Sequence, residues 1–138
     1  MTHTSDESLR ELLAAAKTIA VVGLSDSVWR TSYGVSQYMQ SQGYRIIPVN
    51  PNIESSLGEH AYSSLEEVPD EYEIVNVFRR SEFVGDLVSA VIASRANYVW
   101  MQLGVVDEQA ARLMAEAGKT VVMDRCILQD HQRLIGRR

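Results

Sequence analysis

Five short stretches hold the side chains with the greatest chemical reach: Gly23-Leu24-Ser25, Asn50-Pro51, Arg79-Arg80, Gln102-Leu103-Gly104 and Asp124-Arg125-Cys126. The first opens a loop running to Gly34, with hydroxyls at Ser25 and Ser32 and a cation at Arg30. Gly23 lets backbone come close to a ligand. A helix starting near Ser32 would aim free N–H groups and a positive dipole end at the same point, which suits phosphate. Arg30 adds a fork of donors that matches phosphate oxygens. The glycine spacing is not GxGxxG, and the loop reads equally as a polar turn with Ser32 as a helix N-cap.

The other stretches narrow the ligand. A site for NAD carries an acid at the end of the second strand, where it binds the ribose hydroxyls. Here Val49-Asn50-Pro51 stands in that place, and Arg45 is at the wrong end of the strand to hold the extra phosphate of NADP. Asn50 can hydrogen-bond a ribose or a base and Pro51 can pack on an adenine face, although the same pair also opens turns. Of Arg79 and Arg80, at least one is expected on ligand phosphate; the other can face solvent or pair with Glu82 or Asp86. Gln102 is a candidate contact, whereas Trp100 reads as core. Cys126 reads first as a small buried hydrophobe, with a thiolate favoured by Arg125 as the alternative. His3, His60 and His131 are dispersed and one cysteine makes no ligand set, so no metal is expected. No Ser-His-Asp arrangement is legible, and no catalytic residue is assigned.

Such residues need a scaffold that brings them to one edge. Apolar runs at 18–23, 45–49, 73–78, 98–102 and 120–123 read as strands buried on both faces. Between them lie helical patterns, including Ser32 to Gln42, a stripe of Phe83, Val84, Leu87, Val88, Val91 and Ile92, and a helix capped by Asp107 and ended by Gly118. Before them, Leu9, Leu12, Leu13 and Ala16 mark another helix, with Thr4 and Glu7 as a capping box. The alternation predicts a Rossmann-like three-layer α/β domain over residues 1–138, with a five-stranded parallel sheet in the order 3-2-1-4-5. Pro48 inside the second strand predicts a local irregularity. In such sheets the ligand lies beyond the carboxyl ends of the strands, where all five stretches fall.

Composition excludes other classes. The chain has 138 residues, 46% hydrophobic and 22% charged, with a net charge of −5. That balance is globular and opposes broad binding to nucleic acid; the only basic tail is Arg137-Arg138. A single cysteine fits a reducing cytoplasm. Neither a signal peptide nor a membrane span is expected. Exposed aromatics such as Trp29 or Tyr62 would offer a surface to a homo-oligomer or a protein partner.

The stretches VVGLSD, RTSYGVSQYMQSQGYRIIPVNP, LGEHAYSSLEEVP, VNVFRRSE, VWMQLGV and VVMDRCILQDHQRL resemble the small stand-alone CoA-binding protein family. That family is similar to the N-terminal CoA-binding domain of the succinyl-CoA synthetase alpha subunit. The resemblance runs from about Leu12 to Leu134. It implies coenzyme A as ligand. It further implies that Gly23, Leu24, Ser25 and Arg30 line a phosphate loop, that Asn50 and Pro51 sit by the adenosine, and that Val77, Phe78 and Arg79 border the nucleotide. Gln102 lies where the pantetheine arm would pass. The synthetase also needs a phosphorylated histidine on a second domain and a beta subunit, so ligase activity is not implied.

Three functions follow in order. The first is a CoA or acyl-CoA binding protein without catalysis of its own. The second is a thiol protein in which Cys126 forms a mixed disulfide with CoA. The third is an NAD(P)-responsive regulatory module, weakened by the missing acid after Val49.

Overall fold

A computed structural model describes residues 4–136 of the chain; His3 and Arg137-Arg138 lie outside the described residues. Helix α1, Asp6–Ala15, is capped by the Ser5 hydroxyl, which accepts from the Ser8 N–H. Thr4 is not the cap; its hydroxyl donates to the Val121 carbonyl instead. Strand β1, Thr18–Val22, follows, then α2, Thr31–Ser41, and β2, Arg45–Val49. A small antiparallel pair, β3 (Ser55–Ser56) and β4 (Glu59–His60), leads to a 3-10 turn at Leu65–Glu67. Next come β5, Ile74–Val77, a 3-10 stretch at Ser81–Leu87, and α3, Val88–Ala93. Strand β6, Tyr98–Met101, helix α4, Glu108–Glu116, strand β7, Thr120–Met123, and helix α5, Ile127–Leu134, complete the order.

The result is a Rossmann-like sandwich of helices on both faces of a parallel sheet. Alternate strand residues serve opposite cores, as the two-residue period of a strand requires. Ile19, Val21, Ile46, Ile74, Trp100 and Val122 pack with side chains of α1, α2 and α5. Ala20, Val22, Ile47, Val75, Val99 and Val121 pack with those of α3 and α4. Both sets are almost entirely buried, which is why the strands read as unbroken apolar runs.

The strand order corrects the expected 3-2-1-4-5. The five-stranded sheet runs β2-β1-β5-β6-β7, which is 2-1-3-4-5 when only its own strands are counted. β5 pairs with the inner side of β1, Ile74 opposite Ile19 and Val77 opposite Val22, and leaves β2 at the edge. Pro48 is the physical reason that this place suits β2. The Arg45 N–H donates to Lys17, and the Val49 carbonyl accepts from Gly23, so these odd positions face β1. Pro48, between them in phase, turns its nitrogen outward, where no ladder donor is needed. It therefore causes no irregularity and pairs in register with Val21. The outer side of β2 is met by Tyr62, whose N–H donates to Pro48 and whose carbonyl accepts from Asn50.

Of two further helical expectations, one changes and one holds. Phe83 and Ile92 are exposed, so the inner stripe reduces to Val84, Leu87 and Val91, with Val88 partly buried against the same core. The 3-10 start at Ser81 explains the shift, because three residues per turn moves Phe83 off the buried face. Asp107 does cap α4, accepting from the Ala110 N–H at 3.0 Å. Among the described residues no helix is long and apolar enough to cross a membrane.

Candidate functional site

With this strand order, the direction of winding reverses between β1 and β5, and that crevice is where such sheets hold ligands. Gly23 leaves β1 and Phe78 leaves β5 at this point. Gly23 has a φ of +89°, and a Cβ there would fall 2.0 Å from the Phe78 carbonyl oxygen. The two chain ends therefore touch through backbone, and only glycine fits.

Hydrogen bonds fix the loop that follows. The Ser25 N–H donates to the Ser32 hydroxyl at 3.0 Å, and the Ser25 hydroxyl accepts from the Ser27 N–H at 2.9 Å. Ser56, on β3, donates its hydroxyl to the Ser25 carbonyl at 2.8 Å. Asn50 donates to the Leu24 carbonyl at 3.0 Å and accepts from the Asn52 N–H at 2.9 Å. Asn50 thus braces the loop against the end of β2. Ser32 is not a helix cap: α2 begins at Thr31 with Arg30 at the cap position and no side-chain bond there.

Three clefts open along the strand ends. The first, about 470 Å³, is walled by Gly23, Ser25, Arg30, Ser32, Asn50 and Phe78, with Trp29 and Thr31 at its side. It is mostly polar and lies at the start of α2. The second, about 530 Å³, is mostly apolar and shares Thr31 and Phe78 with the first. Its other walls include Arg79, Gln102, Leu103 and Cys126. A smaller third cleft, about 170 Å³, contains Pro51, Ser63 and Arg79, so Arg79 stands between it and the second. A further cleft of about 500 Å³, lined by Asp70, Tyr72 and Arg95 and sharing Leu65, Glu66 and Ala90 with the third, holds none of the sequence-derived site residues.

The expected site residues therefore divide. Gly23, Ser25, Arg30, Ser32, Asn50 and Phe78 share one cleft. Pro51, Arg79 and Gln102 join through the adjacent two. Leu24 and Val77 have fully buried side chains, and only their backbone faces the strand ends. Gln102 is 3% exposed; its amide donates to Asn76 Oδ1 at 2.8 Å, a buried pair joining β6 to β5 beneath the apolar cleft. Thr31, Leu103, Ser63 and Gln129 also line the clefts. Leu103 falls in one of the five stretches at the strand ends; the type and spacing of the other three do not mark them in the sequence.

Cys126 is half-buried at the start of α5. Arg125 does not face it as a free cation: its guanidinium closes on Asp130 through two 2.7 Å bonds. Burial alone would push the Asp130 carboxyl up, but bonds from Arg125 and Arg133 outweigh it and hold the group below its ordinary value. His131 lies behind the sheet, fully buried, hydrogen-bonded to the Tyr38 hydroxyl at 2.9 Å and edge-on to Tyr44. It is not part of the cleft that holds Cys126.

Known proteins share the sequence family and the fold of this chain. Residues 17–132 match the family model described as a CoA binding domain. The YneT protein of Bacillus subtilis (strain 168) is 47% identical over 131 residues, covering 95% of this chain and 97% of that protein. A hypothetical protein from Pyrococcus horikoshii OT3 superposes with a TM-score of 0.94 at 34% identity, over 99% of this chain and 96% of the other. The cell-free ID.343 protein from Thermus thermophilus gives 0.92 at 38% identity, over 95% and 99%. The model match spans most of the chain and includes every strand of the main sheet, and on that ground the chain belongs to the family of CoA-binding domains.

Proposed function

We propose that the joined clefts hold coenzyme A or an acyl-CoA, and that the protein binds this ligand without catalysis of its own. One observation carries the reading: a polar cleft with Arg30 and the start of α2 adjoins an apolar cleft, with Phe78 between them. Coenzyme A has the same division, a phosphorylated nucleotide at one end and a mostly uncharged thiol arm at the other. The diphosphate belongs against Gly23, Ser25, Arg30 and Ser32, where charge-assisted bonds and the helix dipole act together. The pantetheine arm belongs along Phe78, Gln102 and Leu103. Asn50, in place of an acid after β2, disfavours NAD. Calorimetric titration with CoA, acetyl-CoA, NAD and NADP is the test. Heat from the CoA species alone is expected; silence from both at millimolar concentration removes the reading.

A second reading rests on the place of Cys126 in the wall of the apolar cleft. Its thiolate would attack one sulfur of a CoA disulfide. A bond forms between Cys126 Sγ and one CoA, and the other CoA leaves as a thiolate that takes up a proton. The oxidant is the CoA disulfide itself.

A further inference from the structure

The chain has two tryptophans, and their settings are opposite. Trp100 is 0% exposed, and its indole N–H donates to the Arg125 carbonyl at 2.9 Å. Trp29 is 90% exposed, far more than any other exposed large hydrophobic among the described residues. A tryptophan left in water forgoes the burial of roughly 150–250 Å² that an aromatic ring offers. The position of Trp29 is nevertheless set by the fold. It lies in the turn closed by the Arg30 N–H on the Ser27 carbonyl, at 3.1 Å. Ser25 holds Ser27 on one side of that turn and Ser32 holds Ser25 on the other. The indole borders the polar cleft together with Arg30 and Asn50.

We propose that Trp29 is the stacking platform for the adenine ring of the bound ligand. The inference rests on the CoA reading of the clefts and deepens it. Consecutive residues would then serve the two parts of one nucleotide, Arg30 the phosphates and Trp29 the base. A purine offers a flat π-face of similar size to an indole, and stacking of this kind needs no hydrogen-bond partner on the base. A free, water-facing ring is what such a platform looks like before the base arrives. The chemistry recognised is an adenine nucleotide, not a pantetheine arm.

Iodide quenching of tryptophan emission tests this on the full chain, because Trp100 is shielded and Trp29 is not. Calorimetry on the same samples reports binding independently. Saturating CoA, or adenosine 3′,5′-bisphosphate, is expected to remove the iodide-accessible signal, whereas pantetheine is not. Trp29→Ala is expected to weaken CoA binding roughly ten- to hundredfold, and Trp29→Phe, which keeps an aromatic face, only a few-fold. If calorimetry shows CoA bound while iodide still reaches Trp29, or if Trp29→Ala binds as tightly as the parent, the platform is overturned and the CoA reading stands. If no CoA species binds, both fall together.

Discussion

The backbone of Gly23 and the carbonyl of Phe78 meet so closely that any side chain on Gly23 must displace the end of β5. A Cβ would stand 2.0 Å from the Phe78 oxygen, and the φ of +89° disfavours every other residue. The obstacle is backbone, not the tip of a mobile side chain. Gly23→Ala should therefore destabilise the fold by about 2–4 kcal/mol, combining left-handed strain with overpacking. Urea denaturation measures this. An unchanged midpoint would mean that β1 and β5 can part at no cost. Because Phe78 borders both larger clefts, the folded fraction should also bind CoA less well.

Arg30 supplies the fixed charge of the polar cleft. Arg30→Ala should keep the fold, since the side chain is exposed. It should weaken CoA binding by about 1.5–3 kcal/mol, the usual worth of a bond to a charged group. Arg30→Lys should fall between the two, keeping the charge but losing the fork. Titrations at rising salt should narrow the gap between parent and Ala variant. Equal affinities would place the guanidinium in water rather than on phosphate.

Asp130 gathers Arg125 and Arg133 at the start and side of α5, with its own side chain 5% exposed. Its folded pKa lies below the unfolded one. On acidification the unfolded state takes up the proton first. The carboxylate's contribution is thus complete above about pH 4, the ordinary range of an aspartate, and is lost as pH falls through the lower folded value. Asp130→Asn should cost about 1–3 kcal/mol at neutral pH, less than for a fully buried pair because both guanidiniums are partly exposed. Melting temperatures of parent and variant should converge below pH 4. A constant gap across that range would show that packing, not charge, is what Asp130 contributes.

Cys126 gives a mass-based test. Incubation with CoA disulfide should add one CoA to the intact protein, minus the hydrogen of each thiol, and a reductant should remove it. Cys126→Ala should show no adduct. An unchanged parent mass would leave binding without thiol exchange.

Much of this arrangement was legible in the sequence, and the misreadings have physical causes. The five strands of the main sheet stood out because both faces of each are buried. The clustering of Gly23, Arg30, Asn50 and Arg79 at one edge followed from the carboxyl-end rule alone. Strand order was harder, since β5 must choose between β1 and β2 by long-range pairing that leaves no local mark. Pro48 held the clue, because its missing donor is harmless only where β2 has no second strand of the sheet beside it. Helix α5 went unrecognised because Asp130 and His131, two of its buried positions, are polar types satisfied by Arg125, Arg133 and Tyr38. The part Asn50 plays in bracing the loop was also invisible, because its partner is the Leu24 backbone, 26 residues away.

The two margins of the sheet share a property. On β2, proline and the Tyr62 backbone occupy the outward groups; on β7, the Thr4 hydroxyl takes the carbonyl of Val121. At both margins some of the outward groups are already taken, which breaks up the row that would otherwise template strand addition. A neighbouring copy that approached either margin would meet an interrupted ladder rather than a complete one.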